Sequence, residues 1–547
     1  MAQSKTKKRN PRTLNAPKAA PAAITTESAA VGRWFAAADS WLSRRTEWVV
    51  WAMVAAGFGL RLARAATNYL NGDEAMTMTA PLQHGLENVY HAMLAHPHGP
   101  FPNFLLHFMS FLGSSELWFR MPSVVTGALL PYVAYRWAAA TFGKTAGMVT
   151  ASILAFSPAL IILSAQVRFY MIQMFFLAVS LHCLEQAFRE KSAGWMRAFG
   201  AASVMALLTE YMSILYIGAI GVYALLRILN KELQPRLILE WAGTQAAAVA
   251  VLLLGFATHL HRLKGNGGER FAQDVWLRGS YYHREAQGLW DFLRGATDAL
   301  FGYVFSNAAL GTWMFFFFVF GVALLLWGKG GVPGGRRLPG LALVLPFLFT
   351  GAAACLPLYP YGGSRHDAFL AIFLAAGIAV AIAFLARWKI VVLLAAAAWL
   401  VPMWMNAAQH HVLDDIPQVS KRAQMENALA YLSTRSPKPR VLVADQNGSV
   451  TLNYYICHGE VKDWRALKPN MTSYRCGDYR ILTVEDWGIP MPGLSTSFVL
   501  ARRVSPDLFP DPAWGFSVAF NRFADLSVSQ ENSAVFGKLE LLRLPQR

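Results

Sequence analysis

"EWVVWAMVAAGFGLRLARAATNYLNGDEAMTMTA", residues 47–80, runs an apolar stretch straight into two adjacent acids, Asp73 and Glu74. A span needs about 20 predominantly apolar residues to cross about 30 Å of hydrocarbon, and 47–66 supplies them. The acids therefore stand where a membrane-crossing helix surfaces. The chain as a whole fits that reading. Of its 547 residues 55% are hydrophobic and only 15% charged, and mean hydropathy is +0.33, which excludes an ordinary soluble globular protein. The formal charge of +17 sits mainly in the N-terminal tail and in short loops between apolar runs. That is the distribution expected of cytoplasmic loops, so the charge reads as topology and no nucleic-acid partner is expected.

Working outward, residues 1–46 form a basic, Pro- and Ala-rich cytoplasmic tail followed by an interfacial segment, "VGRWFAAADSWLSRR" (31–45). Spans are expected near 47–66, 120–140, 146–164, 170–188, 197–209, 211–228, 238–260, 309–327, 339–358, 368–386 and 390–408. Arg136/Lys144, Arg189/Lys191/Arg197, Arg227/Lys231/Arg236, "GKGGVPGGRR" (328–337) and "RWK" (387–389) then fall on the cytoplasmic side. "GPFPNFLLHFMSFLG" (99–113), with two prolines and a histidine, breaks this sense if it crosses. It is expected to lie along the outer surface, within one long outer loop, 67–118, and loops of that length are usually functional. The transmembrane domain covers 47–408. Residues 409–547 are charged and Pro-punctuated and read as a small α/β domain on the periplasmic side. Its Cys457 and Cys476 allow at most one disulfide, because Cys183 and Cys355 fall inside spans.

Polar groups gather at the outer turns of this arrangement: Asp73 and Glu74; the histidines of "HAMLAHPHGP" (91–100); Gln166, Arg168 and Tyr170; Glu210 and Tyr211; and Arg365 and His366 of "YPYGGSRHD". Each has a plainer reading. Asp73 could cap a helix beginning at Glu74. Arg168 and Arg365 could be snorkelling anchors. Histidines 91, 96 and 98 lack partners at ligand spacing and read better as surface or turn residues, with "HPHGP" a rigid turn. Taken together, carboxylates and arginines without a metal cage suit a phosphate that stays at the membrane surface, such as the head group of a polyprenyl lipid. If that lipid carries a sugar, its phosphate leaves without protonation, and a single carboxylate base suffices to take the acceptor's proton.

The acidic pair "DE" in the first outer loop, the "HP.P" segment, "LWFRMPSVVTGALLPYVAYRWAAATFG" (117–143) and "LAFSPALIILSAQVRFYMIQ" (154–173) resemble the N-terminal half of bacterial GT-C glycosyltransferases of the family 39 type, a group similar to protein O-mannosyltransferases and the lipid A aminoarabinose transferase. "TEYMSILY" (209–216), "YGGSRHDAFLAIFLA" (361–375) and "VLVADQNGSVTLNYY" (441–455) resemble later segments. The resemblance implies an all-α polytopic GT-C domain with outer-surface helices, a C-terminal α/β domain, a polyprenyl-phosphate sugar donor, and a hydroxyl acceptor in the periplasm of a bacterial inner membrane. It implies Asp73 as base and Glu74 as its positioning neighbour; from the convergence of the outer turns, Arg168 and Arg365 are expected on the lipid phosphate and His96, Gln166, Tyr170, Glu210, Tyr211 and His366 around the substrates. No cofactor is expected. Relatives often read "SQEARMY" where this chain has "SAQVRFY", so Gln166 replaces an acid and a metal-dependent mechanism loses one ligand there. A transporter of polyprenyl-linked lipids is the alternative; it would show repeated halves with broken helices, and no repeat is visible.

Overall fold

The structure is a computed structural model. It describes residues 24–94, 96–263, 273, 277–329, 337–386, 422–434, 441–458, 462–468, 471–484, 515–520, 533–536 and 539–543. The tail before residue 24, the expected span 390–408, the "RWK" loop and much of 328–337 lie outside the described residues.

Helices dominate up to residue 385. The first, Ile24–Thr67, contains the segment 47–66 and is kinked at Arg45. Glu116–Phe142, Tyr170–Glu190, Ala193–Thr209, Ser213–Leu229, Pro235–Thr258, Ala308–Leu326, Leu338–Cys355 and Ala371–Leu385 follow where apolar runs are expected. Six described helices are long and apolar enough to cross a membrane, and the pair Lys144–Phe156 and Pro158–Ser164, bent by 59°, makes a seventh if it is counted as one span. The chain is a multi-pass membrane protein. Pro158 explains the break, since it cannot donate to the preceding turn. The break leaves carbonyls without helical partners, and Arg61, wholly buried in the first helix, donates to Leu154 O, Ala155 O and Ser164 Oγ. An intramembrane arginine is thereby satisfied without a carboxylate.

Between the first and second long helices the chain makes three short ones: Gly72–Met78, Leu86–Met93 and Pro100–Ser110. Eleven residues cover about 16 Å, too short to cross, which fits the expected surface helix. Its buried side, Leu106, packs with Leu70, Met78 and Phe119, while Phe108, Phe111 and Leu112 point outward. Leu289–Phe305, with Asp291, Arg294 and Asp298 on it, is a longer helix that was not expected. It buries Phe292, Ala296, Leu300 and Phe301 in the main core.

The C-terminal residues build a seven-stranded mixed sheet from β1 (Val441–Asp445), β2 (Lys462–Lys468), β3 (Met471–Cys476), β4 (Tyr479–Val484), β5 (Gly515–Phe520), β6 (Ser533–Phe536) and β7 (Leu539–Arg543), in the order 2-3-4-1-5-7-6. β1 is parallel to both β4 and β5, and the remaining pairs are antiparallel. Helices Arg422–Thr434 and Gln446–Tyr455 accompany the sheet, giving the expected α/β composition. Cys457 and Cys476 are bridged.

Candidate active site

The site begins with a helix cap. Asn71, not Asp73, caps helix Gly72–Met78: its side chain accepts from Glu74 N at 3.0 Å, and Glu74 Oε2 accepts in return from Asn71 N at 3.0 Å. This reciprocal capping box removes the plainer reading of Asp73 as the cap. Asp73, one residue into the helix, is left with its carboxylate facing out, its side chain 29% exposed.

Glu74 turns the opposite way and is 1% exposed. Its two oxygens accept from Arg120 Nε and Nη2, each at 2.9 Å, and Oε1 also accepts from Val167 N at 2.8 Å. Arg120, fully buried, further donates to the carbonyls of Ala65, Asn68 and Tyr69, where the first helix ends. One fork thus ties the end of helix Ile24–Thr67, helix Gly72–Met78 and helix Glu116–Phe142 together. Arg120 lies within the "LWFRMPS" stretch, where nothing in the spacing of the sequence signals its partners. Glu74 is saturated and supports the site rather than facing a substrate.

Asp73 Oδ2 accepts from Arg365 Nη1 at 2.5 Å. Arg168 Nη1 donates to Asp73 O at 3.2 Å and to Thr77 Oγ1 at 2.9 Å, and its Nη2 donates to the Tyr170 hydroxyl at 3.3 Å. Neither arginine is a snorkelling anchor: both point into the same spot from segments far apart in sequence. Burial alone pushes the Asp73 carboxyl up, but the charges of Arg365 and Arg168 outweigh it and bring it down to about 2. Arg168 is held by Ser123 Oγ, which donates to its carbonyl at 2.7 Å. Arg365 rides on a short 3₁₀ helix, Arg365–Leu370, whose preceding turn is seated by the unexpected helix Leu289–Phe305. Tyr361 and Thr297 share a hydroxyl contact of 2.7 Å, and a Cβ on Gly363 would meet Ala299 O at 2.5 Å, so only glycine allows that approach. Asp367, fully buried, accepts from Gly362 N and Ser364 Oγ and shapes the turn.

Histidines complete the wall. His98 Nδ1 lies 2.7 Å from Glu210 Oε2, and its ring packs 4.1 Å from that of Phe169. Burial pushes Glu210 up to about 8 and His98 well below its ordinary value, so the pair carries no net charge near neutrality. The "HPHGP" turn is what brings them together: Gly99 N donates to Thr209 O, and a Cβ there would meet Leu208 O at 2.2 Å. His98, read from sequence only as a turn residue, therefore belongs to the site, while His96 sits beside Thr79 Oγ1 at 3.5 Å and is pushed down to about 4 by burial. His366 packs edge-on to Tyr170. Two expected residues lie elsewhere. Gln166 lines a small cavity of about 20 Å³ behind Glu74, with Arg64, Asn68 and Arg120, where its Oε1 finds no partner among the described residues. Tyr211 turns to His259, 3.3 Å from its hydroxyl. Among the described residues no group of three or more His, Cys, Asp or Glu is placed to hold a metal ion.

This architecture has relatives. The crystal structure of ArnT from Cupriavidus metallidurans bound to undecaprenyl phosphate superposes with a TM-score of 0.53 at 14% identity, covering 91% of this chain and 98% of that one. The chain has the GT-C fold. The apo state of the same ArnT matches with a TM-score of 0.51 at 14% identity, over 92% of this chain and 99% of that one. The family described as dolichyl-phosphate-mannose-protein mannosyltransferase matches residues 96–260, which hold the GT-C segment from His96 through Arg168 to Glu210. The resemblance read from the sequence stands. Comparison with curated proteins returned no match.

Proposed function

We propose that this protein is a membrane glycosyltransferase that moves a monosaccharide from a polyprenyl-phosphate donor to a hydroxyl of an acceptor on the periplasmic face of a bacterial inner membrane. One observation carries the reading: Asp73, a carboxylate able to take a proton, lies 2.5 Å from Arg365 and beside Arg168, two cations able to hold a phosphate. The relatives' chemistry is consistent, since ArnT binds undecaprenyl phosphate and the matching family is named for a lipid-phosphate sugar donor.

In this reading the acceptor O–H gives its proton to Asp73 as its oxygen attacks the anomeric carbon. The carbon–phosphate oxygen bond breaks with its electron pair going to the phosphate, and configuration inverts. Arg168 and Arg365 stabilise the charge that grows on the departing phosphate. His98, Glu210, Tyr170 and His366 line the sugar. A carboxylate held at about 2 is a feeble base, because basicity falls with pKa. Donor phosphate resolves this by competing for Arg365 and Arg168, which lets Asp73 regain basicity only when a donor is bound. Asp73→Asn, expressed in cells and compared with wild type by mass spectrometry of envelope glycans and glycolipids, should leave the protein in the membrane and remove the product. An Asn variant of full activity would remove Asp73 as the base.

A further inference from the structure

We propose that Tyr455 of the C-terminal α/β unit is a positioning residue for the helix that carries Asp73, so that this unit holds the site in register as well as standing beside it. The contacts are direct. Tyr455 is the last residue of helix Gln446–Tyr455, which packs on helix Gly72–Met78. Its hydroxyl accepts from Leu70 N at 2.8 Å and donates to the Glu116 carboxylate. Leu70 stands immediately before the cap residue Asn71. Tyr69, 1% exposed, is buried in a cluster made otherwise of the C-terminal unit: Met425, Ala428, Leu432, Leu442 and Leu452 among others.

Residues 69–71 are thus gripped from two sides. From the membrane side, Arg120 takes Tyr69 O and Glu74 takes Asn71 N. From the C-terminal side come the pocket around Tyr69 and the Tyr455 hydroxyl. Glu116 joins the two grips, since it lies 3.9 Å from Arg120 Nη1 and accepts from Tyr455. Two residues beyond Tyr455, Cys457 is bridged to Cys476 at the end of β3, which anchors the end of the helix to the sheet. Tyr455 touches neither Asp73 nor the arginines. Its influence passes through Leu70 and Glu116, and a misplacement of about 1 Å at a reacting group can cost roughly a hundredfold in rate.

Tyr455→Phe keeps the ring and removes both hydrogen bonds. In the purified full-length chain, hydrogen–deuterium exchange should rise in peptides covering 68–78 and stay unchanged in β3 and β4. Undecaprenyl phosphate, used as the binding probe, should bind within about threefold of wild type, while turnover falls roughly tenfold. Glu116→Gln as a single substitution, whose amide oxygen still accepts from the Tyr455 hydroxyl, should keep most of the protection at Leu70. Unchanged exchange at 68–78 overturns the proposal, and so does a rise spread through the C-terminal strands, which marks a merely structural role. The turnover arm rests on the glycosyl-transfer reading; if wild type transfers no sugar, that reading fails, while the exchange arm still decides the role of Tyr455.

Discussion

Asp73 and Glu74 are adjacent acids, each paired with an arginine, and the two pairs behave oppositely. Glu74–Arg120 is closed: both side chains are at most 2% exposed, the fork is bidentate, and the remaining capacity is taken by backbone groups. Asp73–Arg365 is open on the acid's side: the carboxylate is 29% exposed, and a second arginine lies alongside. The difference comes from helical geometry, because successive residues point about 100° apart. The lesson is that a saturated ion pair builds a site and an unsaturated one can work in it.

Substitutions that exchange these roles test the comparison. The largest effect is expected at the open pair: Asp73→Asn should lower transfer about 10²- to 10⁴-fold, the range for a lost general base, with little change in thermal midpoint. Next comes the closed pair, where Arg120→Ala should cost about 3–5 kcal/mol of stability by stranding Glu74, seen as loss of folded protein in detergent. Arg365→Ala should weaken undecaprenyl phosphate binding by roughly 10- to 100-fold, in line with about 1.5–3 kcal/mol for a charge-assisted hydrogen bond. A pH series sharpens the contrast further. The depressed Asp73 value means its pairing stabilises the fold above about pH 4 and loses that contribution as pH falls toward about 2. With donor bound and the arginines shared, the acid limb of kcat should lie above that of kcat/KM, which reports the free enzyme. The smallest effect is expected at Glu210, whose carboxyl stays protonated in the fold up to about 8. The fold then binds more protons than the unfolded chain, so stability declines as pH rises from about 4.5 to 8. Glu210→Gln should flatten that slope, read from thermal midpoints between pH 5 and 9.

Much of this was legible beforehand. Long apolar runs and basic loops marked the helices, and the convergence of Asp73, Arg168 and Arg365 followed from placing their turns at one end of the bundle. Three features were not legible, each for a physical reason. Helix Leu289–Phe305 carries Asp291, Arg294 and Asp298 along one side, which interrupts its apolar run, so hydropathy passes over it. His98 looked like a turn residue because its partner, Glu210, is 112 positions away and only a close backbone approach at Gly99 joins them. The cap fell to Asn71 because Glu74 completes a reciprocal box with it, an arrangement that Asp73 could not share.

The surface helix Pro100–Ser110 and the turn after it show Phe108, Phe111 and Leu112 outward, 55%, 71% and 78% exposed, while Leu106 presses on Leu70 and Met78 at either end of the Asp73 helix. Apolar side chains of this kind gain free energy by entering acyl chains, so a half-buried segment at this place ties the level of the Asp73 helix to the boundary between hydrocarbon and water.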